Sequence, residues 1–144
     1  GFEDTCVSNN IPYNIITADF GNSYTSTVEQ IRQIFDQIEE AGSGKKGIFL
    51  SNDTYANIFL NIVIQKYGTL PSSYRLVGFD NSPIASEAII PITTIGQQIE
   101  KMAQNALELL VLQMDEMKKR IPEPLKEPLH RQITPVLIRR DTTD

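Results

Sequence analysis

The sequence predicts an α/β fold built on a doubly wound parallel sheet, and three observations predict it. Short apolar runs of strand length alternate with longer stretches of helical period. Each run ends in a polar residue that can open the next helix. One run, Ile48-Phe49-Leu50, is apolar on both sides of the pleat, as a strand covered by helices on both faces would be. Strands alternating with helices imply right-handed crossovers and hence parallel pairing.

Each element follows in turn. Phe2 to Asn10 reads as the tail of a helix, with Phe2, Cys6 and Val7 on one face and Asn9-Asn10 as the stop. Tyr13 to Ala18 predicts a buried strand around Ile15 and Ile16, followed by a polar loop from Asp19 to Thr25. Ser26 with Glu29 has the spacing of a capping box, and Val28, Ile31, Phe35 and Ile38 continue at helical period until Gly42. Gly47 to Ser51 is the next strand. Asn52 and Asp53 then cap a helix that runs to about Tyr67 and stops at Gly68. Arg75 to Phe79 repeats the strand pattern, and Asp80-Asn81-Ser82-Pro83 breaks it. After Pro91, Ile92 to Ile95 precedes a long helix from Gln97 to about Lys119, with Ile99, Met102, Ala106, Leu109 and Leu110 as its apolar positions. A linker containing Pro122, Pro124 and Pro128 leads to a last strand, Gln132 to Ile138, which Pro135 confines to an edge or a bulge because proline donates no ladder bond.

Composition narrows the function. The 144 residues, 40% hydrophobic and 22% charged, suffice for one modest core and not for two full domains. Thirteen Lys and Arg against eighteen Asp and Glu leave a net charge of −5 with no run of like sign, so this segment lacks the basic footprint of a nucleic-acid surface. The single cysteine, Cys6, excludes an internal disulfide, and with His130 it cannot make a zinc ligand set, so no metal and no cofactor is expected. The longest apolar runs fall short of the ~18 residues of a spanning helix, and no charged-then-apolar leader opens the chain, which predicts a cytoplasmic protein without a membrane partner. The start at Gly1 instead of Met fits a true N-terminus lying upstream.

Ligands of an open parallel sheet bind outside the carboxyl ends of its strands. Those ends carry Asp19, then Asn52 and Asp53, then Asp80 and Asn81, with Phe20, Tyr24 and Phe79 beside them. Carboxylates and amides next to aromatic faces suit a sugar or a nucleoside, whose hydroxyls donate to the carboxylate while the ring stacks. The same Asn52 and Asp53 also read as plain helix caps, and both readings stand at this stage. Other motifs fail on context. Gly42, Gly44 and Gly47 have the G-x-G-x-x-G spacing but sit between a helix and a strand, the reverse of the dinucleotide order. Asp53 as a phospho-acceptor lacks a nearby acidic pair for magnesium, there is no G-x-S-x-G elbow, and His130 has no evident partner. The helix after Asp53 is apolar nearly all round, with only Asn61 polar from Ile58 to Ile64. It is either enclosed within a larger version of the same chain or a subunit interface, for which an isologous dimer is the commonest form.

Four segments, Ile48-Phe49-Leu50-Ser51-Asn52-Asp53-Thr54-Tyr55-Ala56, Arg75-Leu76-Val77-Gly78-Phe79-Asp80-Asn81, Pro91-Ile92-Thr93-Thr94-Ile95 and Pro135-Val136-Leu137-Ile138-Arg139-Arg140-Asp141-Thr142-Thr143, resemble in order and spacing the core of the lactose-repressor/galactose-repressor (LacI/GalR) family. Gly1-Phe2 look like the end of a further motif of that family. The resemblance implies a periplasmic-binding-protein-like (type I) fold of which this chain is the C-terminal part of a two-lobed effector domain. Residues 1–92 would be mostly the second lobe, 93–131 a crossover and a first-lobe helix, and 132–144 the final strand and tail. Position by position, it implies effector contacts at Asn52, Asp80 and Gln97 and an aromatic near the ligand at Tyr24. Phe20 matches less well, because Ala18 to Val28 departs from the family's loop. The helix from Asp53 to Tyr67 resembles the dimerisation helix, which would place Ile58, Phe59, Ile62 and Val63 at a homodimer interface. The implied function is sensing of a small-molecule effector, a sugar, by lobe closure that alters operator affinity. DNA would be bound only through a helix-turn-helix upstream of Gly1, without covalent chemistry. With half of the cleft missing, the chain alone is expected to bind ligand poorly. The alternatives are a periplasmic-type sugar-binding protein of the same fold, or a small α/β enzyme using Asp53 or Asp80.

Overall fold

The computed structural model describes residues 1–19, 21, 23–42, 44–119 and 129–144. The chain divides into two units, Gly1–Ser43 and Gly44–Asp144.

In the first unit, α1 (Phe2–Ser8) ends at Asn9, whose side-chain amide donates to Thr5 O at 2.8 Å. Asn10 follows with φ 52°, so the Asn9-Asn10 stop acts as the sequence implies. Cys6 is buried, whereas Phe2 and Val7 are exposed. Residues 13–18 do not form the predicted strand: Ile15 and Ile16 are 56% and 39% exposed, and no ladder reaches them among the described residues. An apolar run becomes a strand only where a neighbour takes up its backbone groups. Helix α2 (Tyr24–Glu40) begins three residues before the predicted start, because the Ser23 hydroxyl accepts the Ser26 N–H at 3.1 Å and nothing in residues 24–26 breaks the helix. Ser26 and Glu29 therefore lie inside it. Ile31 and Phe35, four residues apart on one face, are buried.

The second unit holds a four-stranded sheet in sequence order: β1 (Lys46–Phe49), β2 (Tyr74–Phe79), β3 (Thr93–Gly96) and β4 (Val136–Ile138). The first three run parallel, with Phe49 opposite Val77 and Phe79 opposite Ile95. The last pairs antiparallel with β3, Gly96 opposite Val136, so the predicted parallel sheet carries one antiparallel edge strand. The chain returns from α5 (Ile99–Met117) at the carboxyl end of β3 and runs back down it. Pro135, one residue before β4, cuts the predicted strand short and sits at an edge, where its missing N–H costs nothing. β1 is the other edge. It alternates half-buried and exposed residues, with Phe49 43% exposed, so it is not covered on both faces as predicted.

Helix α3 (Asp53–Tyr67) has both predicted ends. Asn52 caps the start, and Gly68 closes the end in the left-handed region at φ 77°, its N–H donating to Ile64 O at 2.8 Å. β2 and the short α4 (Pro83–Glu87) pack against it. Ile58, Phe59, Ile62 and Val63 are 3%, 1%, 3% and 0% exposed, so the four residues expected at a dimer interface are core within a single chain. Enclosure by the chain itself explains the all-round apolar character, and the exposed positions of α3 are Thr54, Asn61 and residues 65–67. Full burial of side chains of this size contributes roughly 1.5–3 kcal/mol each. No residue of α5 is buried, and Ile99, Met102 and Leu110 of its apolar series are exposed. Arg131 ties the segment before β4 to α5, donating to Asn105 Oδ1 at 2.8 Å and to Glu108 Oε2 at 2.5 Å.

The C-terminal tail is stapled to the sheet. Thr142, in a 3-10 turn (Asp141–Thr143), is buried; its hydroxyl donates to Leu76 O at 2.7 Å and accepts the Thr93 N–H at 2.9 Å. Thr93 Oγ1 in turn accepts the Arg140 N–H at 2.8 Å. Among the described residues no helix is long and apolar enough to cross a membrane, and no cluster of acidic, His or Cys side chains could hold a metal ion.

Candidate functional site

Parallel pairing puts the carboxyl ends of β1, β2 and β3 on one rim, and the sequence places a polar residue at each. Asn52 follows β1. Its Oδ1 accepts the Tyr55 N–H at 2.8 Å, so it caps α3 while remaining half-buried at the rim. Asp80 follows the adjacent β2, so Asn52 and Asp80 share one side of the sheet.

Asp53, the next residue, is 1% exposed and joins three segments. One carboxylate oxygen accepts the Thr94 hydroxyl at 2.6 Å and the other the Ser82 N–H at 2.7 Å. Thr94 Oγ1 also receives the Asn81 N–H at 3.3 Å. The start of α3, the loop after β2 and the middle of β3 are thereby fixed to one another. Gly78 makes this possible, since a Cβ there would overlap Asp53 Oδ1 and lie 3.3 Å from Ala56 Cβ. Asp53 is thus a buried structural anchor, and an acid/base or phospho-acceptor role for it has no open access.

Asp80 has φ 103° and Asn81 φ 54°, left-handed conformations that cost a non-glycine residue about 1–2 kcal/mol. Such strain persists only where the surroundings hold it. The Asp80 N–H donates to Ile95 O at 2.9 Å, and its Oδ1 accepts Gln97 Nε2 at 2.6 Å. Two of the residues singled out from sequence, Asp80 and Gln97, are therefore in direct contact, both half-buried. Phe79 meets Phe49 edge to face, centroids 6.4 Å apart and planes at 88°. Phe49 was not singled out as a rim residue. Its signal in the sequence is its place at the end of the strand beside Phe79's. Together they put an apolar ring surface at the carboxyl ends of β1 and β2, where Phe79 immediately precedes Asp80.

Tyr24 opens α2 in the first unit and is 70% exposed, and Phe20 lies outside the described residues. A groove of about 280 Å³ lined by Tyr74, Arg75, Asp141 and Thr142 lies at the amino end of β2, at the opposite end of the strand from the rim.

This arrangement can donate and accept hydrogen bonds and stack a ring. A profile described as a periplasmic binding protein-like domain matches residues 1–143. The chain is 23% identical over 127 residues to the HTH-type transcriptional regulator CelR of Thermobifida fusca, covering 88% of this chain and 35% of that protein. It superposes on the structure of a CelR–cellobiose complex with a TM-score of 0.75 at 21% identity, covering 98% of this chain and 40% of the other. It superposes on a lac repressor dimer bound to operator and the anti-inducer ONPF with a TM-score of 0.72 at 21% identity, covering 99% and 46%. The chain spans about a third of the length of the curated relative, and the two superpositions show the fold. The α/β architecture, the match over nearly every residue and the motif order converge: the chain belongs to the periplasmic binding protein-like domain family.

Proposed function

We propose that this chain is the effector-sensing part of a transcriptional regulator of the LacI/GalR type, that its rim of Asn52, Asp80 and Gln97 takes a sugar, and that it works as a cytoplasmic homodimer without catalysis. The observation that carries the reading is the Asp80–Gln97 hydrogen bond at the carboxyl ends of adjacent parallel strands, with the Phe49–Phe79 pair alongside. A carboxylate and an amide held together match vicinal hydroxyls, and an apolar ring surface matches the C–H face of a pyranose. Cellobiose in a structural relative and the regulator name of the curated relative support the class of ligand and of protein. The dimer in the lac repressor structure supports a second copy, whose contacts must lie outside the four buried residues of α3.

The mechanism requires only differential binding. A ligand held between this rim and a facing lobe stabilises one lobe orientation, and the coupling passed to DNA-binding heads is typically about 1–3 kcal/mol. Calorimetric titration with cellobiose and with ribose, the sugar bound in the structure of a LacI family regulator from Enterococcus faecium that this chain also resembles, on this chain and on the full-length parent, tests it. The parent is expected to bind one of them at least about ten-fold more tightly than the chain alone, and Asp80→Asn to weaken that binding by about ten-fold. Equal affinity of chain and parent, or an Asp80→Asn parent that binds as the wild type does, overturns the reading. An export signal in place of a helix-turn-helix in the reading frame upstream of Gly1 would turn it toward a periplasmic-type sugar-binding protein.

A further inference from the structure

We propose that Arg140, on the C-terminal tail, is the positioning residue for Asp80, acting through Asn81. The inference deepens the site reading above and depends on it only for what Asp80 binds.

Two consecutive non-glycine residues in the left-handed region, Asp80 and Asn81, need an external hold, and the structure supplies it on Asn81. Arg140 Nη2 donates to Asn81 Oδ1 at 2.9 Å, while Nη1 of the same guanidinium donates to Ile92 O at 2.9 Å. The planar fork therefore bridges the loop after β2 to the residue that leads into β3, in a geometry a lysine cannot reproduce. The base of the arginine is equally fixed: its backbone N–H and C=O both bond Thr93 Oγ1, at 2.8 and 2.9 Å. From the other side, Asn81 Cβ sits 3.4 Å from where a Cβ at Gly96 would lie, so the loop packs against the residue preceding Gln97. Releasing Asn81 loosens the turn that aims the Asp80 carboxylate at Gln97. The Arg140–Asn81 bond is solvent-exposed, so it contributes little to global stability and its effect is local.

The experiment is amide hydrogen exchange on the isotope-labelled chain, comparing the Asp80 N–H, bonded to Ile95 O, with the Leu76 N–H inside β2. Arg140→Met is expected to speed Asp80 exchange about three- to ten-fold with Leu76 unchanged within two-fold, and to shift the Gln97 side-chain amide resonances. Arg140→Lys should recover less than half of the protection. Asn81→Asp, which keeps an acceptor for the guanidinium, should retain all of it and provides a test from the other partner if Arg140→Met folds poorly. Unchanged Asp80 exchange in Arg140→Met, equal acceleration at Asp80 and Leu76, or lost protection in Asn81→Asp overturns the proposal. If Asp80 exchange responds but cellobiose and ribose affinity of the full-length parent does not, the positioning role stands and the sugar-site reading fails.

Discussion

Replacing Gly78 by alanine tests the central anchor. The added methyl would lie 2.3 Å from Asp53 Oδ1 and crowd Ala56 Cβ at 3.3 Å, both on a helix that cannot retreat because Ala56, Phe59 and Leu60 are 0–1% exposed. The easiest escape is rotation of the Asp53 carboxylate, which breaks its bonds to Thr94 Oγ1 and Ser82 N. A hydrogen bond to a charged group contributes about 1.5–3 kcal/mol, and a buried charge stripped of partners costs 3–5 kcal/mol, so Gly78→Ala should destabilise by about 3–5 kcal/mol. That is a large share of the roughly 5–15 kcal/mol by which domains are stable. Urea unfolding followed by circular dichroism measures it. Gly47→Ala on β1, with nothing within 4 Å, is the control and should be neutral or stabilise by up to about 1 kcal/mol. A Gly78→Ala loss below about 1 kcal/mol, with the Ser82 amide resonance unmoved, would refute the reasoning.

Thr142→Val, which strips the Leu76 carbonyl and the Thr93 N–H of a buried partner, should cost about 2–4 kcal/mol in the same assay, and Thr142→Ser about 1 kcal/mol; a valine variant within 0.5 kcal/mol of wild type contradicts the staple. Asp53→Asn retains one acceptor and should cost about 1–2 kcal/mol against about 3–5 kcal/mol for Asp53→Ala; an Asp53→Ala loss below about 1 kcal/mol would show that neither hydrogen bond matters. Arg131 donating to Glu108, helped by Gln104, holds the Glu108 carboxyl below its usual 4.5. The Glu108 part of the tie to α5 is therefore present above 4.5 and lost as pH falls through the depressed value, while the bond to Asn105 does not titrate. Carbon NMR of that carboxyl should give a midpoint under 4.5 that rises in Arg131→Gln, and a midpoint at or above 4.5 in the wild type counts against the contact.

Elements whose signals are local were legible in the sequence. Asn52 and Gly68 bound α3 because a capping side chain and a left-handed glycine act through their own backbone neighbours. Asp80 and Gln97 were legible as a pair only through the resemblance, and their contact depends on the crossover from β2 to β3, which brings residues 17 apart together. What failed depends on partners. Tyr13 to Ala18 has a strand's composition and, among the described residues, no ladder, and the antiparallel direction of β4 is set by where the chain re-enters the sheet. Ile58, Phe59, Ile62 and Val63 looked like interface residues because an apolar helix reads the same whether its own chain or a second copy covers it. Arg140 and Thr142 sat in a quoted motif, yet nothing in one sequence says that residues 47 to 66 positions away complete their bonds.

The buried Asp53 side chain has a consequence for anyone redesigning the rim. Because one carboxyl group accepts hydrogen bonds from both the Ser82 N–H after β2 and the Thr94 hydroxyl of β3, the start of α3, the turn and β3 are mutually constrained: inserting or deleting a residue in one would drag the other two out of register. Transplanting a whole loop from a relative would thus disturb this joint. Side-chain exchanges at Phe49, Asn52 and Gln97, with the backbone untouched, are the route the architecture leaves open.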